Sequence, residues 1–270
     1  MGIQRWQALI DAERAQSERM RGAAPPSDYW PAFARGFRVD PQRSDDPLVH
    51  RLRQEVATHH TVIDVGAGGG RLALPLALRC RRVVAVEPSA SMAAVLLQQM
   101  EDHDIPNVSL VTSPWEEAEV EVADIVLCAH VLYTVRNIEP FVRKLEAHAR
   151  ERVLVVLFQD HPQARIDLLW QDIHGEARQP LPSLSTFQDV LDELGIEVQT
   201  EEISPQPPRG FDSLEEALQQ LSRRLYLKPD TPKRARLEQI LPERLEEVGG
   251  VFQIRDAGLV RTALVEWRPV

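Results

Sequence analysis

The first 160 residues carry five short apolar runs, at positions 61–65, 82–87, 108–112, 124–130 and 152–158. Each is rich in β-branched residues and continuous rather than alternating, which predicts strands buried on both faces. Between them the spacing turns helical. Residues 90–102 predict a helix closed by His103, Asp104, Ile105, Pro106 and Asn107. Residues 138–150 predict another, with Ile138, Phe141, Val142 and Leu145 on one face. Such strand–helix alternation predicts a doubly wound α/β fold around a parallel sheet. Upstream, residues 1–22 read as an amphipathic helix with Ile3, Trp6, Leu9 and Ile10 in register, its apolar face thinning after Ile10. A further helix over 47–58 leads into the first strand.

Beyond Phe158 the regularity changes. A loop and short helix over 159–175 precede a helix over 185–194 and an alternating, half-exposed strand over 197–203. Pro205, Pro207 and Pro208 then break the chain. Leu214, Ala217, Leu218, Leu221 and Leu225 predict one helix over 213–227, and Leu237, Ile240 and Leu241 a second from Pro232. Pro242 should end or kink that second helix, leaving a last turn or two to about Val248. Residues 251–254 and 258–267 read as a terminal hairpin turned at 255–258.

One stretch is unlike the rest. After the first strand come Gly66, Ala67, Gly68, Gly69 and Gly70, followed by a helix start in which Pro75 is tolerable because it lies in the first turn. A strand, a glycine turn and a helix N-terminus together aim free N–H groups at a polar ligand. The dinucleotide fingerprint G-x-G-x-x-G is not met, since Arg71 stands where its third glycine belongs. What fits is an acid followed by alternating glycines: Asp64, Gly66, Gly68, Gly70. The second strand ends in Glu87, about 20 residues on, where a doubly wound fold places an acid for ribose hydroxyls.

Val62 to Gly70 resembles the first motif of the class I S-adenosylmethionine-dependent methyltransferases, and Glu87, Pro88, Ser89, Ala90, Ser91 and Met92 their second. The resemblance implies a Rossmann-like sheet of seven strands, S-adenosylmethionine as cofactor, and methyl transfer to a small-molecule acceptor. It assigns the cofactor to Asp64, Gly66, Ala67, Gly68, Gly70, Glu87, Pro88 and Met92. Trp30, Ala34 and Phe37 resemble the family's W-x-x-x-A-x-x-Y segment, with Phe37 in place of the tyrosine. They would fold over the cofactor, or anchor the N-terminal helix. The family's aspartate after the third strand is Ser113 here. Trp115 is then expected over the adenine face, with Glu116 or Ser113 as the polar contact.

Ala129, His130, Val131, Leu132 and Tyr133 match the segment after the fourth strand, which faces the methyl group. Ala129 would touch the cofactor. At an ordinary pKa near 6.5, His130 could act as base, or it could pack against the cofactor or bond a loop carbonyl. Tyr133 could orient the acceptor or wall the pocket. The domain expectation is an N-terminal helical lid segment over 1–58, the cofactor-binding core over 59–204, a helical cap over 205–250, and a hairpin over 251–270 completing the sheet. Within the cap, Tyr226 and one of Arg223 or Arg224 are expected to point inward, unless the helices simply pack on the sheet edge.

Charge and composition narrow the acceptor. A net charge of −10 over 270 residues argues against a nucleic-acid footprint, and the Asn/Asp-Pro-Pro motif of base-methylating enzymes is absent. Two cysteines, Cys80 and Cys128, give no disulfide framework and suit a reducing cytoplasm. No run approaches a membrane span, and the N-terminus lacks a signal-peptide core. The histidines, His59 and His60 included, lack zinc spacing, so no metal is expected. The rival readings are a cofactor-binding assembly protein without turnover and a protein or ribosomal methyltransferase. Oligomeric state is not legible.

Overall fold

The computed structural model describes residues 1–22 and 38–269. The aromatic segment containing Trp30 lies outside the described residues. Helix α1 (Gly2–Arg21) runs a full twenty residues and stops at Gly22, in the left-handed region. Helix α2 (Pro47–Glu55) starts behind Asp46, whose side chain accepts from the N–H groups of Leu48 and Val49. The alternation predicted from the apolar runs follows: β1 (Thr61–Val65), α3 (Ala73–Ala77), β2 (Arg82–Val86), α4 (Ala90–Asp102), β3 (Val108–Val111), β4 (Ala123–Ala129), α5 (Ile138–Ala147) and β5 (Ala149–Phe158). Then come α6 (Asp167–His174), α7 (Leu184–Glu193), β6 (Gln199–Gln206), α8 (Leu214–Arg224), α9 (Pro232–Arg244), β7 (Leu245–Val248), β8 (Val251–Ile254) and β9 (Val260–Trp267).

Seven strands form one sheet in the order β3-β2-β1-β4-β5-β9-β6, with β9 antiparallel to both neighbours. The order reverses between β1 and β4, so the ligand crevice of such a sheet lies beyond their carboxyl ends. Alternate residues of the strands feed two cores. Ile63, Val65, Val126 and Val155 face α5, α7 and the Trp6 end of α1. Val62, Ile125, Leu127 and Val156 face α2, α3 and α4. The Trp6 indole donates to the carbonyl of Val135 at 2.7 Å, fixing α1 over the segment that follows β4.

Two expectations about the C-terminal part are corrected. Residues 251–254 do not pair with the last strand: β8 pairs with β7, outside the main sheet. The turn is Gly249-Gly250, both at positive φ (62° and 84°), the conformation that a two-residue hairpin demands. The last strand inserts instead between β5 and β6, where Ala263, Leu264 and Val265 are buried. Residues 245–248 are therefore strand rather than helix. Pro242 sits inside α9, three residues before Leu245 turns extended.

The elements between β6 and β9 make a third core of their own. Leu221 of α8, Leu225 at its C-cap, and Leu237 and Leu241 of α9 pack with Phe211, and all close on Ile166, Leu169, Trp170 and Ile173. Those last four belong to the segment leading out of the carboxyl end of β5. The insertion is thus seated on α6.

Candidate functional site

The turn after β1 is held by the neighbouring strand. Gly66 and Ala67 both donate to the carbonyl of Val86, at 2.8 and 3.1 Å. Gly66, Gly68 and Gly70 all adopt positive φ, at 73°, 55° and 90°. At Gly70 a Cβ would lie 2.5 Å from Leu96 of α4, so the loop and α4 touch backbone to side chain. Gln99 completes that seam: its amide donates to the carbonyl of Gly69 and its oxygen accepts from Val39 N–H at 2.8 Å. It was not singled out in the sequence, although a glutamine on the apolar face of α4 is the signal that could have found it.

Two carboxylates flank the turn. Asp64 is 2% exposed, and its Oδ2 has no partner. The other bond it makes is from the N–H of Ala73 at the start of α3. Burial, and then the nearby Glu87 carboxylate, push the Asp64 carboxyl up to about 7. Glu87 is also buried, and its two oxygens accept from Gly68 N–H at 2.7 Å and Ser89 N–H at 2.8 Å. These bonds fix the carboxylate at the mouth of the loop. Ser89 caps α4 by accepting from Met92 N–H, and Met92 is buried under Gly68. Pro88 is exposed, Ala67 buried and Ala129 half-buried at the end of β4.

An orphaned, buried carboxylate oxygen beside a positive-φ glycine loop fits the cationic end of S-adenosylmethionine, whose ribose would fall to Glu87. The adenine side is different from expectation. Trp115 is 3% exposed in the core, with Lys144 Nζ 4.9 Å from its ring centre and His148 edge-on at 5.2 Å. Its faces are occupied, so it does not offer one to a cofactor. Glu116 is exposed, and the Ser113 hydroxyl donates to the Pro114 carbonyl at 3.1 Å.

At the end of β4 the structure assembles three rings. His130 stacks on Phe158 with centroids 4.2 Å apart, and Tyr133 lies nearly parallel to Phe158 at 5.8 Å. Phe158 N–H donates to the Tyr133 hydroxyl at 2.7 Å, which leaves the phenol proton for His130 Nδ1, 3.2 Å away. His130 therefore carries its own proton on Nε2. Burial, and then the Arg71 guanidinium, push its pKa down to about 3. This corrects the expectation of a base near neutral pH: the ring is neutral but too weak a base to keep a proton taken from an acceptor. Tyr133 is the group that sets its tautomer. His130 also sits at φ 59°, a conformation that only the surrounding packing enforces.

The pH consequence has a definite sign. Folded His130 stays neutral while the unfolded residue protonates near 6.5, so acid favours the unfolded chain and stability is lost as pH falls from about 6.5 towards about 3. An NMR titration should show the His130 ring unchanged between pH 8 and 5. A midpoint near 6.5 would mean that the ring is solvated rather than stacked.

Arg71 is itself anchored. It meets Asp46 at 2.9 Å, and Arg43 meets the same carboxylate at 3.1 Å while donating to the Arg71 carbonyl. Burial opposes ionisation of Asp46, but the charge and hydrogen bond of Arg71 outweigh it and lower the pKa. Tyr226 does not point inward as expected. Its ring stands edge-on to Trp170 and under the Arg21 guanidinium, with its hydroxyl bonded to Ser17. It ties the insertion to α1, while Arg223 and Arg224 lie on the exposed side of α8.

Comparison with known proteins bears on the family and the fold. Residues 40–201 match the family described as methyltransferase domain. Among curated proteins, the ubiquinone biosynthesis O-methyltransferase of Rickettsia akari (strain Hartford) is 27% identical over 126 residues, 41% of this chain and 50% of that one. The chain thus spans about half the length of that relative. Among solved structures, the YcgJ protein of Bacillus subtilis superposes with a TM-score of 0.55 at 16% identity, covering 81% of this chain and 96% of that one. Coclaurine N-methyltransferase, bound to N-methylheliamine and S-adenosylhomocysteine, gives 0.52 at 16% identity over 98% and 92% of the two chains. These two likenesses are of fold. The family match covers more than half of the sequence, from ahead of α2 into β6. The chain belongs to the methyltransferase-domain family and carries the fold of the class I S-adenosylmethionine-dependent methyltransferases.

Proposed function

We propose that the protein transfers a methyl group from S-adenosylmethionine to a small-molecule acceptor held beneath the helical insertion. The observation that carries this is the third core. It is built on α6, which follows β5 from the sheet end where the glycine loop and His130 lie. A helical cap at that end would cover a small acceptor and obstruct a macromolecular one. The net charge of −10 also disfavours nucleic acid. Cys80 and Cys128 are free and buried, which suits a reducing cytoplasm. Among the described residues no helix is long and apolar enough to cross a membrane.

The cofactor supplies an electrophilic methyl group. The chain's own work is to hold it: Asp64 faces its cationic end, Glu87 its ribose, and the glycine loop admits its backbone approach. Catalysis is then mostly orientation. His130 cannot serve as a strong base, so the site suits an acceptor whose lone pair is free at neutral pH, such as an aromatic amine or an acidified phenol. The similar proteins include a named O-methyltransferase and a named N-methyltransferase, which supports either atom.

The test has two arms. Calorimetry should show S-adenosylhomocysteine binding that Glu87→Ala weakens about tenfold or more, because a charged acceptor is worth roughly 1.5–3 kcal/mol. Unchanged affinity would remove Glu87 from the cofactor site. Incubating a cell extract with labelled S-adenosylmethionine should place label in the small-molecule fraction. Label confined to protein or RNA would overturn the acceptor class.

A further inference from the structure

Buried side-chain polar atoms in folded proteins are nearly all paired. Among the described residues nine lack a partner, and seven of these nine fall between His161 and Arg178. They are His161 Nδ1, Gln163 Oε1, Arg165 Nε, Asp167 Oδ1, Trp170 Nε1, and both Nε and Nη1 of Arg178. Arg178 is the most demanding of them. It is 8% exposed, and its guanidinium lies over the Trp170 ring, 4.5 Å from the centre. Glu13 Oε1 lies 3.7 Å from its Nη2, an ion pair longer than a well-formed hydrogen bond, while Nε and Nη1 have no acceptor. Two idle donors on a buried cation are costly unless further acceptors join it.

The surroundings say which anion. The charged and titratable groups that face Arg178 include Tyr226, Glu13, Asp167 and His174. Asp167 Oδ2 meets His161 Nε2 at 2.8 Å, leaving its other oxygen idle. Arg165, half-buried on the same run, has an idle Nε and lies in the field of Arg224. Two nearby carboxylates would repel a dianion such as a phosphate, but a monoanion is tolerated. The idle acceptors on Asp167 and Gln163 ask the same ligand for a donor. The run begins beside the methyl-transfer site. His161 is three residues past Phe158, which stacks on His130, and three residues span at most about 11 Å.

We propose that this cluster is the acceptor subsite, in which Arg178 binds the carboxylate of a hydroxy or amino acid while Asp167 and Gln163 accept from its hydroxyl or amino group. The proposal rests on the methyltransferase reading and narrows its acceptor to a carboxylic acid.

The experiment uses the full chain with saturating S-adenosylhomocysteine, and titrates 2-hydroxybenzoate and 2-aminobenzoate against their primary amides by calorimetry. At least one acid should bind saturably, and its amide at least tenfold more weakly. Arg178→Met should weaken acid binding tenfold or more, with S-adenosylhomocysteine affinity kept within twofold; Arg178→Lys should retain part of it. Equal binding of acid and amide, no binding of either acid, or wild-type binding by Arg178→Met would overturn the proposal. So would a crystal structure showing these atoms paired by ordered water alone with acid present. The acid-to-amide comparison decides on the wild type even where Arg178→Met does not fold. Bound S-adenosylhomocysteine without bound acid refutes only the subsite; no bound S-adenosylhomocysteine refutes the reading beneath it.

Discussion

Trp170→Ala is expected to loosen the insertion while sparing the cofactor site. Trp170 is wholly buried, with His174 at 4.3 Å, Tyr226 edge-on at 6.0 Å and Arg178 above its ring. Emptying such a site costs about 3–5 kcal/mol, since the lost contacts add to the cavity left behind. The loss falls on the third core, which shares none of its buried residues with the two cores of the sheet. Urea unfolding should therefore show the lost stability, and hydrogen exchange should rise first over residues 211–254. Binding of S-adenosylhomocysteine should persist within about threefold, because Asp64 and Glu87 are fixed by β1, β2 and the glycine loop. Loss of binding together with the cap would show that the insertion and the sheet unfold as one unit.

The parts legible in the sequence were those fixed by local pattern. Five strands were readable because a strand buried on both faces must be a continuous apolar run. The places of Asp64 and Glu87 beside the glycine turn are legible because glycine spacing and strand ends locate them without reference to distant residues. What was misread depends on partners far along the chain. Trp115 is followed by Glu116 and Glu117 and looks exposed, but its environment is made by Lys144 and His148. The tautomer and depressed pKa of His130 come from Tyr133, Phe158 and Arg71, which no local spacing connects. Gly249-Gly250 did carry a hairpin signal. It was passed over because the helix before it was extended through Pro242 to Val248, which left β8 without its true partner. The expectation for Tyr226 rests on the insertion reaching the carboxyl-end crevice, whereas Ser17 and Arg21 of α1 decide where its ring goes.

Gly66→Ala should damage the site through the residue it faces. A Cβ at Gly66 would stand 2.3 Å from Cγ2 of Val131, and the backbone there has φ 73°. The dihedral alone costs an alanine about 1–2 kcal/mol. Overpacking against Val131 adds about 1–3 kcal/mol. Val131 follows His130, so relief of the clash would drag the histidine off its stack with Phe158. The first carboxyl-end turn and the post-β4 segment are thus coupled through one missing methyl group. Expected for Gly66→Ala are a tenfold or larger loss of S-adenosylhomocysteine affinity and a His130 ring signal shifted from wild type. Val131→Ala removes the clashing Cγ2 while the remaining Cβ would stand 3.5 Å away, an ordinary contact. The double variant should therefore recover the steric share of the loss and keep the dihedral share, a coupling of about 1–3 kcal/mol between adjacent sites. If Gly66→Ala with Val131→Ala binds no better than Gly66→Ala alone, the dihedral accounts for the whole effect and the two segments are not coupled by this contact.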